Sequence, residues 1–153
     1  MIPWAVMRKR ELMRAEDLGW LDLNGLIESL SPAQMEESGY FEEGWTAKDL
    51  VGHIGCWQAE AGQLFQQMRY GTFRDEPVDV DAMNEMFYEA NHDLSIMVVR
   101  AEMFSARNRM LMEWNSLPEI TPKAEEWFIE SGPEHYREHL DRFRGWVEEL
   151  RSR

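Results

Sequence analysis

Wherever apolar residues recur regularly in this chain they recur three and four apart, and no β-rich alternating segment interrupts them. That spacing places side chains on one face of a helix rather than on one face of a strand. The fold it permits is a set of helices whose apolar stripes pack against one another. Prolines and glycines then mark where each stripe has to stop.

Four helical stretches follow. The first spans about Lys9 to Leu30, with Leu12, Leu18, Leu21, Leu23, Leu26, Ile27 and Leu30 as an imperfect stripe. Ser31-Pro32 ends it or starts a short new turn, because the residue before a proline avoids the α region. Gly39 to Gly44 is a connector. The second runs from Thr46 to about Tyr70 and carries Leu50, Ile54, Trp57, Ala61, Leu64 and Met68. Thr46 is a natural N-cap with Asp49 three residues on, a variant of the capping box, and Gly71 is placed to stop the helix.

The third spans about Val80 to Ser116, its apolar face formed by Met83, Phe87, Ala90, Leu94, Met97, Val98, Ala101, Phe104 and Leu111. Pro118 to Gly132 is long for a bundle connection, and Trp127, Phe128 and Ile129 suggest that part of it packs down. The fourth runs from Pro133 to about Arg151, with Ser131 as its N-cap, Pro133 in the first turn, and Phe143, Trp146, Val147 and Leu150 as its stripe. The expected fold is one all-α domain of 153 residues, a four-helix bundle.

Charge narrows the partners. Sixteen basic residues stand against 29 acidic ones, a net charge of −13. A field of that sign repels a phosphate backbone and an anionic membrane surface, so neither nucleic acid nor membrane is an expected partner. The opening MIPWAVMRKR reverses the order of a signal peptide, where the charges come first. The one cysteine, Cys56, rules out an intramolecular disulfide. The expectation is a soluble cytoplasmic protein.

There are four histidines. His135 and His139 are four apart, so they share a helix face, and that face continues into Phe143, Trp146 and Leu150. His53 lies beside Leu50, Ile54 and Trp57 on the apolar side of the second helix. Three imidazoles on inward faces fit two readings equally. Each is a core histidine satisfied by a carbonyl or carboxylate, or the three share a divalent metal, for which neutral imidazole is the commonest nitrogen ligand. His92 lies off its helix's stripe and reads as a solvated surface histidine. Glu60, two turns beyond His53, reads as a partly exposed carboxylate, Glu138 as surface, and Cys56 as a buried inert thiol. Tyr136 and Asn91 read as packing or capping residues.

At these residues the sequence resembles a known family. "GWTAKDLVGHIGCWQAE" is similar to the second-helix signature of the DinB-like (DinB/YfiT) superfamily, and "GPEHYREHLDRFRGWVEEL" resembles its last helix. The segment "LSPAQMEESG" also fits. The family meant is the damage-inducible metalloproteins, not the polymerase that shares the name. The resemblance implies an up-down-down-up four-helix bundle, often a homodimer. It implies a metal triad of His53, His135 and His139, usually holding zinc or nickel. It further implies a small-molecule substrate handled with a low-molecular-weight thiol, as in the family's thiol-dependent transferases and isomerases. Three protein ligands leave a coordination position open, as a catalytic site requires, and a metal-activated water would make a hydrolase instead. The alternative is a non-catalytic, stress-related bundle with a structural metal or none.

Overall fold

The computed structural model describes residues 4–153, and every regular element in that span is helical. The elements are α1 (Trp4–Glu28), α2 (Pro32–Met35), α3 (Ala47–Tyr70), α4 (Val80–Asn91), α5 (Ile96–Asn115), α6 (Pro122–Ser131) and α7 (Pro133–Arg151). The reading of the first ten residues rests partly on residues 1–3, which lie outside the described residues. None of the described helices is long and apolar enough to cross a membrane.

α1 buries Lys9, Leu12, Glu16, Trp20, Leu23 and Ile27, a stripe spaced by three and four. Leu18 and Leu21, which the sequence placed on that stripe, are 58% and 60% exposed. Trp20 and Glu16 set the phase of the buried face, and both leucines fall outside it. α2 is the short turn opened by Ser31, whose side chain accepts from the Gln34 amide while Gln34 returns a bond to the Ser31 amide. α3 begins as its sequence requires, with the Thr46 hydroxyl accepting from the Asp49 amide and Asp49 accepting from the Thr46 amide. It ends at Gly71, whose φ of 73° is the left-handed conformation that glycine adopts without strain.

The expected third helix is two helices. The chain breaks between Asn91 and Ile96, where the Ser95 hydroxyl accepts from the Val98 amide and caps a fresh helix start. The break resets the phase. α5 buries Val99, Met103, Met110 and Trp114, while Met97 is 80% exposed and Val98 and Phe104 also face outward. The stretch from Pro118 to Gly132 contains α6, capped by Thr121, and its Ala124 and Phe128 are core residues. Ser131 is therefore not the N-cap of the last helix. It is the buried final residue of α6, and Gly132 joins α6 to α7 without a side-chain cap.

α3 and α5 run in the same direction in close contact, with Gly55 against Met103, Gly62 against Met110 and Arg69 paired with Glu113. A Cβ on Gly55 would lie 3.1 Å from the Met103 Cα, so the two backbones approach as closely as glycine allows. α1 runs antiparallel to α5, pairing Glu16 with Arg107 and Glu28 with Arg100. The chain just beyond α1, at Gln34 and Gly39, meets α7 at Leu150 and Trp146. α1 and α7 therefore run the same way.

The apolar interior falls into two clusters. One joins Trp20, Leu23, Ile27, Leu50, Ile54, Val99 and Met103 with Tyr136, Phe143 and Trp146 of α7. The other joins Leu12, Phe65, Met110 and Trp114 with Ala124 and Phe128 of α6. Between them lies a buried polar network. Glu16, fully buried, accepts two bonds from Arg107 at 2.6 and 2.7 Å and one from the Tyr136 hydroxyl at 2.7 Å. Gln58 donates to the same hydroxyl at 2.6 Å.

A carboxylate buried this way is costly to strand from its partners. Glu16→Ala leaves Arg107 and the Tyr136 hydroxyl without their acceptor and is expected to cost ~3–5 kcal/mol. Urea denaturation checks this: a loss below about 1 kcal/mol, the level of an ordinary surface ion pair, would show that the network is not structural.

Candidate metal centre

His53 comes from the middle of the first half of α3, and His135 and His139 from the first two turns of α7. The start of α7 is not an end of the molecule, because α6 precedes it and belongs to the second apolar cluster. The start of α7 is where the chain passes from the second cluster to the first, and on α3 His53 sits between Leu50 and Ile54 of the first cluster, with Ala61 and Phe65 of the second further along the helix.

The three rings converge. Nε2 of His53 is 3.0 Å from Nε2 of His135. Ring centroids are 4.9 Å apart for His53–His135, 5.3 Å for His53–His139 and 5.0 Å for His135–His139. One nitrogen from each ring lies within 4.8 Å of the others. Two nitrogens bound tetrahedrally to zinc, each at ~2.0–2.1 Å, are about 3.3 Å apart, so the cluster is near a ligating geometry.

Burial decides the protonation state. It lowers His53 to about 4, assisted by the neighbouring His139, and it lowers His139 to about 4 as well. His135 is pushed well below the ordinary value by burial and then by both partners. At neutral pH all three present lone pairs rather than positive charge. Two neutral Nε2 atoms 3.0 Å apart are satisfied only by a shared proton or a shared cation. Donor type, number and separation all suit a divalent ion. The outward nitrogens suit it less: Nδ1 of His53 and of His135 are buried without a partner. Metal-bound histidines ordinarily donate that N–H to a carboxylate, carbonyl or water.

The triad opens into a cleft of about 1180 Å³. Phe41, Trp45, Trp57 and Trp127 contribute aromatic walls. Trp45 stacks on Tyr88 and meets the His53 ring edge-on at 5.5 Å. Trp57 Nε1 donates to Asn84 at 2.8 Å, which fixes its ring. Of these, Trp57 and Trp127 stand out in the sequence as packing residues and Trp45 as part of the family-like segment that opens the second helix; Phe41 does not. Trp45 and Phe41 lie in the connector before α3 and at its cap, where no periodicity exists to place them.

The remaining polar residues divide. Cys56 and Asn91 do not join the triad; Asn91 donates to the Cys56 sulfur at 3.0 Å beside a separate, smaller cavity, and burial pushes the thiol up. Tyr136 points into the core network. Glu60 is half-buried and does not line the histidine cleft. Glu138 is exposed as expected but stands at the cleft rim. His92 is more than a solvated residue. Its Nδ1 lies 2.9 Å from Asp49, a carboxylate 1% exposed, and its ring stacks on Tyr88. The helix break at this position, which the sequence reading missed, turns His92 towards the start of α3.

Compared with protein-family models, with curated proteins and with solved structures, the chain matches none.

The histidines carry a pH signature. Each binds its proton more weakly in the folded chain than in the unfolded one, so the unfolded chain protonates first as pH falls. Their contribution to stability is complete above about pH 6.5 and is lost as pH falls towards about 4. Metal-free wild type is expected to lose more stability than His53→Leu between about pH 7 and about pH 5. Urea midpoints across that range check it, and parallel declines for the two proteins would refute it.

Proposed function

We propose that this chain is a divalent-metal-dependent enzyme of the DinB type, a four-helix bundle in which His53, His135 and His139 hold zinc or nickel. The observation that carries the reading is the convergence of three neutral imidazoles at an open cleft. Three ligands with access to a cleft suit a catalytic centre; a structural site is normally closed by four. The run of the four long helices supports the fold assignment: α1 and α7 go one way, α3 and α5 the other.

A divalent ion in this position supplies Lewis acidity, lowering the pKa of a thiol or water that reaches it. The protein's own part is to keep the three rings neutral and to hold them on two rigid helices. It also walls the site with aromatic rings that limit access of bulk water. The reaction proposed is transfer or isomerisation of a small molecule with a low-molecular-weight thiol, in the cytoplasm. Hydrolysis is the reading that would replace it if water rather than thiol proves to be the nucleophile.

Metal analysis of untagged protein purified without chelator tests the centre. Near-stoichiometric zinc or nickel is expected, with His53→Ala and His139→Ala each losing it. Retention of metal by either variant would sink the triad. Because Nδ1 of His53 and His135 lacks a protein acceptor, affinity is expected to be about 10- to 100-fold below that of a fully supported site, and the metal removable by mild chelation. Thiol-dependent conjugation of a chloro-nitro-arene, lost in the same variants, tests the reaction.

The proposed homodimer is supported by apolar side chains left outside the core, Leu18 and Leu21 on α1 and Met97, Val98 and Met112 on α5. Sedimentation is expected to give a dimer that Met97→Glu weakens. A wild-type monomer at assay concentration would remove the proposal.

A further inference from the structure

Carboxylates line the histidine cleft. Glu126, Glu130, Glu134 and Glu138 recur four apart across the α6–α7 junction and all line the cleft. Glu43, Asp75 and Glu76 approach from the connectors before and after α3. Lys123 is the one Lys or Arg among the lining residues, and it is already engaged by Asp75 at 3.5 Å and Glu126 at 3.4 Å. Among the described residues, Glu43, Glu76, Glu130 and Glu138 have no ion pair at all.

Like charges one turn apart destabilise a helix; of the four, Glu134 is held low by its partner Arg137. The Glu130 carboxyl is pushed up by burial, then by Glu126 and Glu138. Inside this ring the walls are aromatic. Trp57 and Trp127 lie with centroids 6.3 Å apart and planes inclined by 37°. Below them His135, only 7% exposed, keeps Nδ1 without a partner.

Aromatic faces beside carboxylates, with no free cation, form the recognition chemistry for a positively charged organic group. We propose that the cleft takes a small organic cation, an amine, guanidinium or quaternary ammonium, whose charged group rests against Trp57 and Trp127 beneath the carboxylate rim. This rests on the reading of the cleft as the substrate site of a metal-dependent enzyme, and it names the substrate class that the site selects. At the rim an anion meets like charge. A molecule with a cationic end and an uncharged reactive end fits both halves of the cleft.

The test uses choline as the cation and 3,3-dimethylbutan-1-ol, its neutral counterpart of the same shape, with calorimetric titration into the full-length protein. Choline is expected to bind about tenfold more tightly than the alcohol, a difference of about 1.4 kcal/mol. The preference is expected to collapse in Glu130→Gln/Glu138→Gln. It should persist in Asp141→Asn/Glu148→Gln, which removes the same charge from exposed positions of α7 outside the cleft. Equal binding of the two probes by wild type, or no binding of choline over the same range, overturns the proposal. So does equal loss in both double variants, because it would mean that net charge alone attracts the cation.

The same titrations in His53→Ala/His139→Ala separate this idea from the metal centre. Choline preference that survives there, together with a wild type that carries no metal, leaves the cation site standing while the metal reading fails. Stoichiometric metal in wild type without choline preference sinks the cation site alone.

Discussion

The buried carboxylate of Glu16 is the interaction on which the rest of the arrangement depends. It draws one group from α5, the Arg107 guanidinium, and one from α7, the Tyr136 hydroxyl, and through Tyr136 it reaches Gln58 of α3. All four long helices are therefore joined in a single hydrogen-bond network. Hydrogen bonds are directional where apolar contacts are not, so this network sets the rotation of α7 about its axis as hydrophobic packing alone does not. Rotation is what matters for the site. With Tyr136 held in the core, the adjacent His135 has to emerge at the flank facing α3, and His139, four residues on, follows it. On α3, Gln58 sits five residues beyond His53, so the contact that anchors Tyr136 also holds α3 at the height where the rings meet.

The α6–α7 junction makes that height available. A single continuous last helix would have carried apolar residues at both levels of the molecule and left no opening. Instead α6 supplies Ala124 and Phe128 to one cluster and α7 supplies Phe143 and Trp146 to the other. The junction at Gly132 is tight; a Cβ there would lie 2.9 Å from the Phe128 carbonyl oxygen and 3.2 Å from the Glu16 side chain. The same carboxylate that orients Tyr136 thus packs against the joint that starts α7. The polar network, the joint and the histidines form one mechanical unit.

This explains how much was legible in the sequence. The all-helical class followed from spacing, and the capping box of α3 and its glycine stop followed from local chemistry that operates within four residues. The inward phase of His135 and His139 was legible because Phe143, Trp146 and Leu150 continue their face, all of them buried. Two breaks were not. The start of α5 is marked by one serine in NHDLS, and with Leu94 and Met97 nearby the run reads as unbroken periodicity. An unbroken phase through that point turns Met97, Val98 and Phe104 inward, whereas they face outward. α6 was hidden by the proline that opens it. Glu16 carries its own signal in the sequence, because a charge at an inward position between Leu12 and Trp20 is anomalous on an apolar stripe. The connector side of the aromatic wall left a weaker trace, because Phe41 and Trp45 lie in irregular backbone whose placement is decided by tertiary contacts.

The chemistry of the cleft follows from a separation of charge by depth. At the histidines, burial suppresses positive charge and leaves three neutral rings in contact. At the rim, exposure allows carboxylates to gather without the pairing that a buried anion requires. Between the two levels the walls are tryptophan, whose ring faces are themselves weakly negative. Every layer therefore offers electron density to what enters, as lone pair, ring face or carboxylate. Neutral histidines and unpaired carboxylates are separate costs to the folded chain, and both are relieved by the same event, the arrival of positive charge. The two levels differ in which positive charge they suit. Converging nitrogens suit a small hard-edged ion with directional bonds, whereas a wide ring of carboxylates over aromatic faces suits a diffuse organic one.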